Sequence, residues 1–213
     1  MSLQKLITMA LKNFHGKYRS TSTRLKGWDY GRSGYYFVTI CTRNREECFG
    51  EMKSGEMQLN EYGKIAQKLW LDIPNHFDNA RIDEYVIMPN HLHGIIILDD
   101  KGEDDKINVE TLHCNVSVNA IENEFHSKIS PRPKSLSTII RSYKSICTRM
   151  INELETLQCN VSTKFGWQSG FYDHVIRNDS SLDKIREYIL NNPAQWADDE
   201  YNLAKRKQKK EQL

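Results

Sequence analysis

Apolar runs of two different periods alternate along the first half of the chain. Tyr35–Thr42 (YYFVTICT) is dense in β-branched and aromatic residues and follows Gly34, which predicts a strand. Beyond Asn60 the period changes: Ile65, Ala66, Leu69, Trp70 and Ile73 recur at helical spacing, so Asn60 reads as an N-cap and Pro74 as the stop. Residues 83–98 (DEYVIMPNHLHGIIIL) hold two apolar runs split by Pro89-Asn90, which predicts an antiparallel hairpin of Tyr85–Met88 with His91–Leu98. After the histidines the second run is apolar at every position, as in a central strand covered on both faces.

The pattern collapses from residue 99 to 134, where DDKGEDDK opens a stretch without a clear period, and an insertion loop is expected there. One segment in it, ETLHCNVS (110–117), recurs as ETLQCNVS (155–162), differing only at His113 and Gln158; two copies are too few for a repeat architecture. Ser135–Leu154 predicts an amphipathic helix that buries Ile139, Ile140, Tyr143, Ile146, Cys147, Met150 and Ile151. On another face it gathers Arg141, Lys144 and Thr148. A short strand or extended segment is expected within Phe165–Asn178, then a helix over Leu182–Asn191, capped by Ser180 or Ser181 and ended or kinked by Pro193. The order strand, helix, hairpin, helix, strand, helix fits an α+β sandwich, with helices packed on an antiparallel sheet.

Composition changes this picture little. Hydrophobic residues at 38% and charged residues at 27% of 213 describe an ordinary globular chain that needs no staples to bury a core. The net charge of +2 announces no polyanion partner, but the ends are basic. Lys12, Lys17, Arg19, Arg24, Lys26 and Arg32 face the single Asp29 near the start, and Lys205–Lys210 reads KRKQKK. Such ends suit nucleic acid, and equally suit solvated termini. Five cysteines with no CxxC pair argue for free thiols in a reducing compartment. With Lys5 and Lys12 interrupting the first apolar residues, and no membrane-length apolar run, a cytoplasmic protein without membrane partners is expected.

Two features offer chemistry. In a strand, His91 and His93 point the same way while Leu92 faces the other layer, so two imidazoles stand side by side as half of a metal site. A lone HxH is more often a pair of strand histidines with no function. On the last helix, Tyr188 and Asn192 lie one turn apart at the edge of the stripe formed by Leu182, Ile185 and Ile189. A tyrosine at such an edge is usually a gap filler with a wet hydroxyl.

Taken in order, the segments YFVTICTRNR, VIMPNHLHGIII, WQSGFYDHVIRN and REYILNNP resemble the single-tyrosine HUH transposases, most closely the branch associated with repetitive extragenic palindromes. The similarity runs from about Leu25 to Trp196 and is interrupted by the 99–134 stretch. It implies a ferredoxin-like domain over 35–196, a basic N-terminal segment over 1–34 and a basic tail over 197–213. It also implies that His91 and His93 on a central strand, with Asn192, ligate a divalent metal, and that Tyr188 is the nucleophile. His174, Arg177 and Gln168 belong to a shared motif, as support behind the ligands or as DNA contacts; Trp167 falls in the same segment. Arg141, Lys144 and Arg32 are candidates for DNA backbone contacts.

The chemistry expected from that resemblance is cleavage and rejoining of single-stranded DNA beside a hairpin, through a 5′-phosphotyrosine. A divalent metal would polarise the phosphate, with imidazole ligation favouring Mn²⁺ in vitro and Mg²⁺ serving in cells. Three neutral ligands would leave the cation its full charge. No nucleotide cofactor is expected, since no Walker-type glycine loop is present. Transposing relatives form dimers and members of the palindrome-associated branch act as monomers, so a homodimer stays open. Two other readings stand beside this one. A catalytically silent single-strand nucleic-acid binding module needs none of the four residues. A metallohydrolase without a covalent intermediate needs carboxylates nearer than Asp99 and Asp100, which six or more strand residues place about 20 Å away.

Overall fold

The computed structural model describes residues 25, 27–99, 132–158 and 165–202. The chain is α+β, with a ferredoxin-like, four-stranded antiparallel sheet at its centre. Strand β1 (Gly34–Cys41) leads through a tight turn to a small hairpin, β2 (Gly50–Lys53) and β3 (Glu56–Leu59). Helix α1 (Glu61–Leu71) and the one-turn helix α2 (Ile73–His76) precede β4 (Ala80–Met88) and β5 (His91–Leu98). Helix α3 (Leu136–Gln158), β6 (Tyr172–Ile176) and α4 (Asp179–Asn191) follow, and a 3₁₀ stretch, Pro193–Asp198, closes the described chain. The strand order is β4-β5-β1-β6, so the two histidine-bearing positions lie on an inner strand, between β4 and β1.

The two faces of that sheet differ. Tyr36, Val38 and Ile40 of β1, with Leu92, Ile96 and Leu98 of β5, pack beneath α1 and α3 in the larger core. Gly94 belongs to this face: a Cβ there would collide with the ring of Trp70 from α1, so the missing side chain lets the indole lie on the strand. The opposite face carries Phe37, Ile95 and Ile176 and is covered by Leu182, Ile185 and Ile189 of α4. A register shift between Ile82 and Tyr85 interrupts β4. Within it Asp83 Oδ2 accepts from Arg186 Nε and Nη2 at 3.0 and 2.7 Å, fastening α4 to the sheet edge.

Local signals account for most boundaries. Asn60 caps α1, its Oδ1 accepting from Gly63 N at 3.0 Å. Pro74 does not end that helix: α1 stops at Leu71, and Pro74 opens α2, where its missing N–H would be unpaired in any case. The cap of α4 is Asn178 rather than Ser180 or Ser181; its Oδ1 accepts from Ser181 N at 2.9 Å, and the helix starts at Asp179. Helix α3 runs past Leu154 to Gln158. The β2–β3 hairpin is absent from the sequence reading because its residues are mostly polar. Its signal is Ser54-Gly55, both with positive φ (52° and 80°) as a tight hairpin turn requires. Most of the 99–134 stretch, the first copy of the repeated octapeptide, most of the N-terminal basic residues and the KRKQKK tail lie outside the described residues. No helix among the described residues is long and apolar enough to cross a membrane.

Candidate metal centre and tyrosine

On the α4 face, strand alternation brings both imidazoles to one point. His91 and His93 are 0% and 1% exposed, and their Nε2 atoms lie 3.1 Å apart. Two ligands at about 2.1 Å and right angles around one cation are about 3.0 Å apart, so the spacing fits joint coordination. Each outer nitrogen is held. Thr39 Oγ1 is 2.8 Å from His93 Nδ1, on the residue that β1 pairs with it. Asn90 Oδ1 is 2.9 Å from His91 Nδ1.

The Asn90 contact settles a proton. Asn90 is fully buried, and its Nδ2 donates to the carbonyls of Arg45 (3.1 Å) and Tyr201 (2.9 Å). Its Oδ1 therefore faces His91 and can only accept, so His91 Nδ1 carries the hydrogen and Nε2 presents a lone pair. Thr39, with a hydroxyl that can donate or accept, leaves His93 free to adopt either tautomer. Burial holds both rings neutral. The His91 pKa falls well below the usual imidazole value through burial, then through the charges of His93 and Arg45, and that of His93 falls to about 3 through burial.

Tyr188 comes to the same place. The Arg186–Asp83 pair and the buried stripe of α4 set its ring edge-on to Phe37, with its hydroxyl 3.3 Å from His93 Nε2. Burial first, then the Asp199 charge, raise its pKa; a hydrogen bond from the Asn192 side chain acts the other way. The phenol is thus protonated at rest. Asn192 is 4% exposed, and its buried Oδ1 has no hydrogen-bond partner. A lone carbonyl oxygen in a dry site is costly, and a cation would satisfy it.

Sequence reasoning missed Asp199. His91, His93 and Asp199 each offer a ligand atom within 4.8 Å of the others, all buried, and Asp199 Oδ2 is 4.0 Å from His91 Nε2. This group could hold a metal ion, and it departs from a purely neutral ligand set. In the sequence Asp199 sits in ADDE, which reads as a solvated acidic run. It is buried because residues 199–202 fold back over the imidazoles. The Tyr201 ring lies 4.5 Å from that of His91, Trp196 lies 6.0 Å away on the same imidazole, and Arg45 is 4.5 Å from the Tyr201 ring. The domain boundary expected at Trp196 thus precedes three buried residues, Asp199, Tyr201 and Asn202.

No protein-family model matches the chain. It is 35% identical over 194 residues to an uncharacterized protein of Haemophilus influenzae, an alignment that covers 90% of this chain and 98% of that one. The chain belongs to that protein's family. Among solved structures it is similar to a REP-associated tyrosine transposase bound to a REP hairpin, at 18% identity and a TM-score of 0.47, over 85% of this chain and 74% of that one.

The other expected residues stand apart from the imidazoles. His174 and Arg177 line a cleft at the β6 edge with Tyr30 and Tyr172, and Arg32 and Arg177 each lie about 6 Å from the Trp28 ring. Gln168 and Lys144 line a different cleft on the helical face, and Arg141 is exposed on α3. Trp167 is a core residue, packed against Phe49, Tyr143 and Phe165. Cys41, Cys48 and Cys147 are free thiols; Cys114 and Cys159 lie outside the described residues.

Proposed function

We propose that this chain is a single-tyrosine HUH transposase or a domesticated descendant of one, cleaving and rejoining single-stranded DNA near hairpins through Tyr188. The observation that carries the reading is the convergence of Tyr188 Oη on His93 Nε2 at 3.3 Å, with His91 Nε2 a further 3.1 Å away. One chain brings the phenol and both imidazoles together, so a second copy is not needed to assemble them. The catalytic domain spans residues 35–196 together with the covering segment up to 202, flanked by basic ends.

His91 and His93 would hold a divalent cation, Mg²⁺ or Mn²⁺, with Asn192 Oδ1 and the Asp199 carboxylate completing the donors. Bound there, the cation supplies positive charge that polarises the scissile phosphate and eases loss of the phenolic proton. Tyr188 Oη forms a bond to phosphorus as the bond to the 3′ oxygen breaks, giving a 5′-phosphotyrosine and a 3′-hydroxyl. A 3′-hydroxyl attacking the phosphotyrosine reverses the exchange, so rejoining needs no nucleotide cofactor. Asn192 lowers the cost of the phenolate by donating to it, while Asp199 and burial keep the phenol protonated until substrate arrives. The Tyr201 and Trp196 rings lie over His91, so a phosphate reaches the imidazoles once these two side chains turn aside, with Asp199 kept in place.

The test is incubation of the full chain with Mn²⁺ and an end-labelled hairpin bearing single-stranded flanks. The reading expects a protein–DNA adduct that survives denaturation and disappears with EDTA. Metal-dependent cutting without an adduct would replace it with a hydrolase, and tight binding without cutting would replace it with a binding module.

A further inference from the structure

The outer nitrogens of the two imidazoles are held by groups of different kinds. Asn90 is locked. Both hydrogens of its Nδ2 go to carbonyls, at 3.1 and 2.9 Å, so its Oδ1 accepts from His91 Nδ1 and cannot do otherwise without breaking those bonds. Thr39 is held just as firmly in place, buried in the middle of β1 and paired with His93 on one side and Tyr172 on the other. Its hydrogen bond is not locked. Thr39 Oγ1, 2.8 Å from His93 Nδ1, donates or accepts according to how the O–H turns about the Cβ–Oγ bond.

The inner nitrogens face each other. His91 Nε2 presents a lone pair, since the hydrogen of that ring is on Nδ1, and it lies 3.1 Å from His93 Nε2. Two opposed lone pairs in a dry site repel, so a hydrogen or a cation has to lie between them. A hydrogen there can belong only to His93. Tyr188 Oη is 3.3 Å from the same atom, but a phenolic hydrogen given to His93 Nε2 would leave the His91 lone pair without a donor. With its hydrogen on Nε2, His93 turns the lone pair of Nδ1 to Thr39, which donates. Cation binding asks the reverse: Nε2 gives its lone pair, Nδ1 carries the hydrogen, and Thr39 accepts.

We infer that His93 changes tautomer when a cation enters, and that Thr39 is the positioning residue that permits the change by reversing its hydrogen bond. His91 keeps one tautomer throughout. The His93 ring is neutral in both forms: one hydrogen leaves Nε2 and one arrives at Nδ1, exchanged with water, so no net proton is taken up or released. A hydroxyl at position 39 serves both forms. An amide with its donors committed, as at Asn90, would fix one of them, and an aliphatic side chain would leave Nδ1 without a partner in either. The inference rests on the cation site of the proposed function and is independent of DNA cleavage.

Long-range ¹H–¹⁵N correlation spectra of the full ¹⁵N-labelled chain read the tautomer of each imidazole, with His93 assigned by its loss in His93→Gln. In EDTA, His93 should carry its hydrogen on Nε2 and His91 on Nδ1. Zn²⁺, diamagnetic and readily bound by imidazole, should move the His93 hydrogen to Nδ1 and leave His91 unchanged. Thr39→Val keeps the branched shape without the hydroxyl, and should weaken Mn²⁺ binding in calorimetry by about 10–100-fold. Thr39→Ser should bind Mn²⁺ within a few-fold of the parent chain. A His93 hydrogen on Nδ1 in EDTA, or one His93 tautomer with and without Zn²⁺, would overturn the inference; both spectra come from the parent chain and need no variant to fold. Parent-like Mn²⁺ affinity in Thr39→Val, or an equal loss in Thr39→Ser, would overturn the role of Thr39. A parent chain that binds neither cation would sink the metal site itself, and this inference with it.

Discussion

Replacing Asn90 by alanine isolates the group that orients His91. The side chain makes three buried hydrogen bonds: two from Nδ2, at 3.1 and 2.9 Å, and one accepted from His91 Nδ1 at 2.9 Å. At about 1 kcal/mol net for each, the loss comes to about 3 kcal/mol. For a chain of this size that is roughly 6–12 °C in Tm. The same change leaves His91 Nδ1 without an acceptor in a dry site, so the ring is free to take the tautomer that puts a hydrogen on Nε2. Losing the group that orients a ligating imidazole weakens metal binding by about 10–100-fold. Asn90→Asp keeps the acceptor for His91 and loses both donors, so it should also be destabilised yet hold Mn²⁺ within a few-fold of the parent chain. Isothermal titration with Mn²⁺, alongside thermal unfolding, separates the two effects. Equal Mn²⁺ affinity in the parent and Asn90→Ala chains would refute the claim that Asn90 sets the His91 tautomer.

Gly94→Ala pushes a methyl group into the Trp70 ring on the central strand, and should lower stability by about 1–3 kcal/mol in urea unfolding. The depressed imidazoles predict a pH effect in EDTA: the folded protein takes up protons at His93 only near pH 3, the unfolded chain near 6.5. The unfolded state therefore binds more protons between those values, and stability is lost as pH falls below about 6.5, by up to about 1.4 kcal/mol per unit for this histidine. A His93→Gln chain should show a shallower fall over that window. Removing the charge of Asp199 with Asn should lower the Tyr188 pKa, read by NMR titration of ¹³C-labelled tyrosine, and weaken Mn²⁺ binding by removing a charged donor. An unmoved phenol would show that the carboxylate does not act on it.

Much of the framework was legible because it depends on local pattern. The run YYFVTICT, the cap at Asn60 and the HxH alternation each carry their own signal, and the ordering of strands and helices pointed to helices on an antiparallel sheet. What escaped depends on contacts between residues distant in sequence. That Thr39 faces His93 follows from the β1–β5 register, which nothing in either segment specifies alone. Asn90 looks like a turn residue beside Pro89, and its bonds to Arg45 and Tyr201 exist only after three segments meet. Asp199 lies in an acidic run and is buried because Tyr201 and Trp196 close over the imidazoles. Lys144 shares a helix face with Arg141 in the periodicity, yet its ammonium is tethered to two carbonyls that arrive from the segment before β6.

The central claim is that the Tyr188 oxygen becomes bonded to DNA phosphorus. Peptide mapping by mass spectrometry, after reaction of the full chain with Mn²⁺ and a flanked hairpin, reads this directly. The account predicts a nucleotide mass on the peptide containing Tyr188, none in Tyr188→Phe, and a free 3′-hydroxyl on the released strand. A nucleotide on any other residue, or cut DNA with every peptide unmodified, would contradict it.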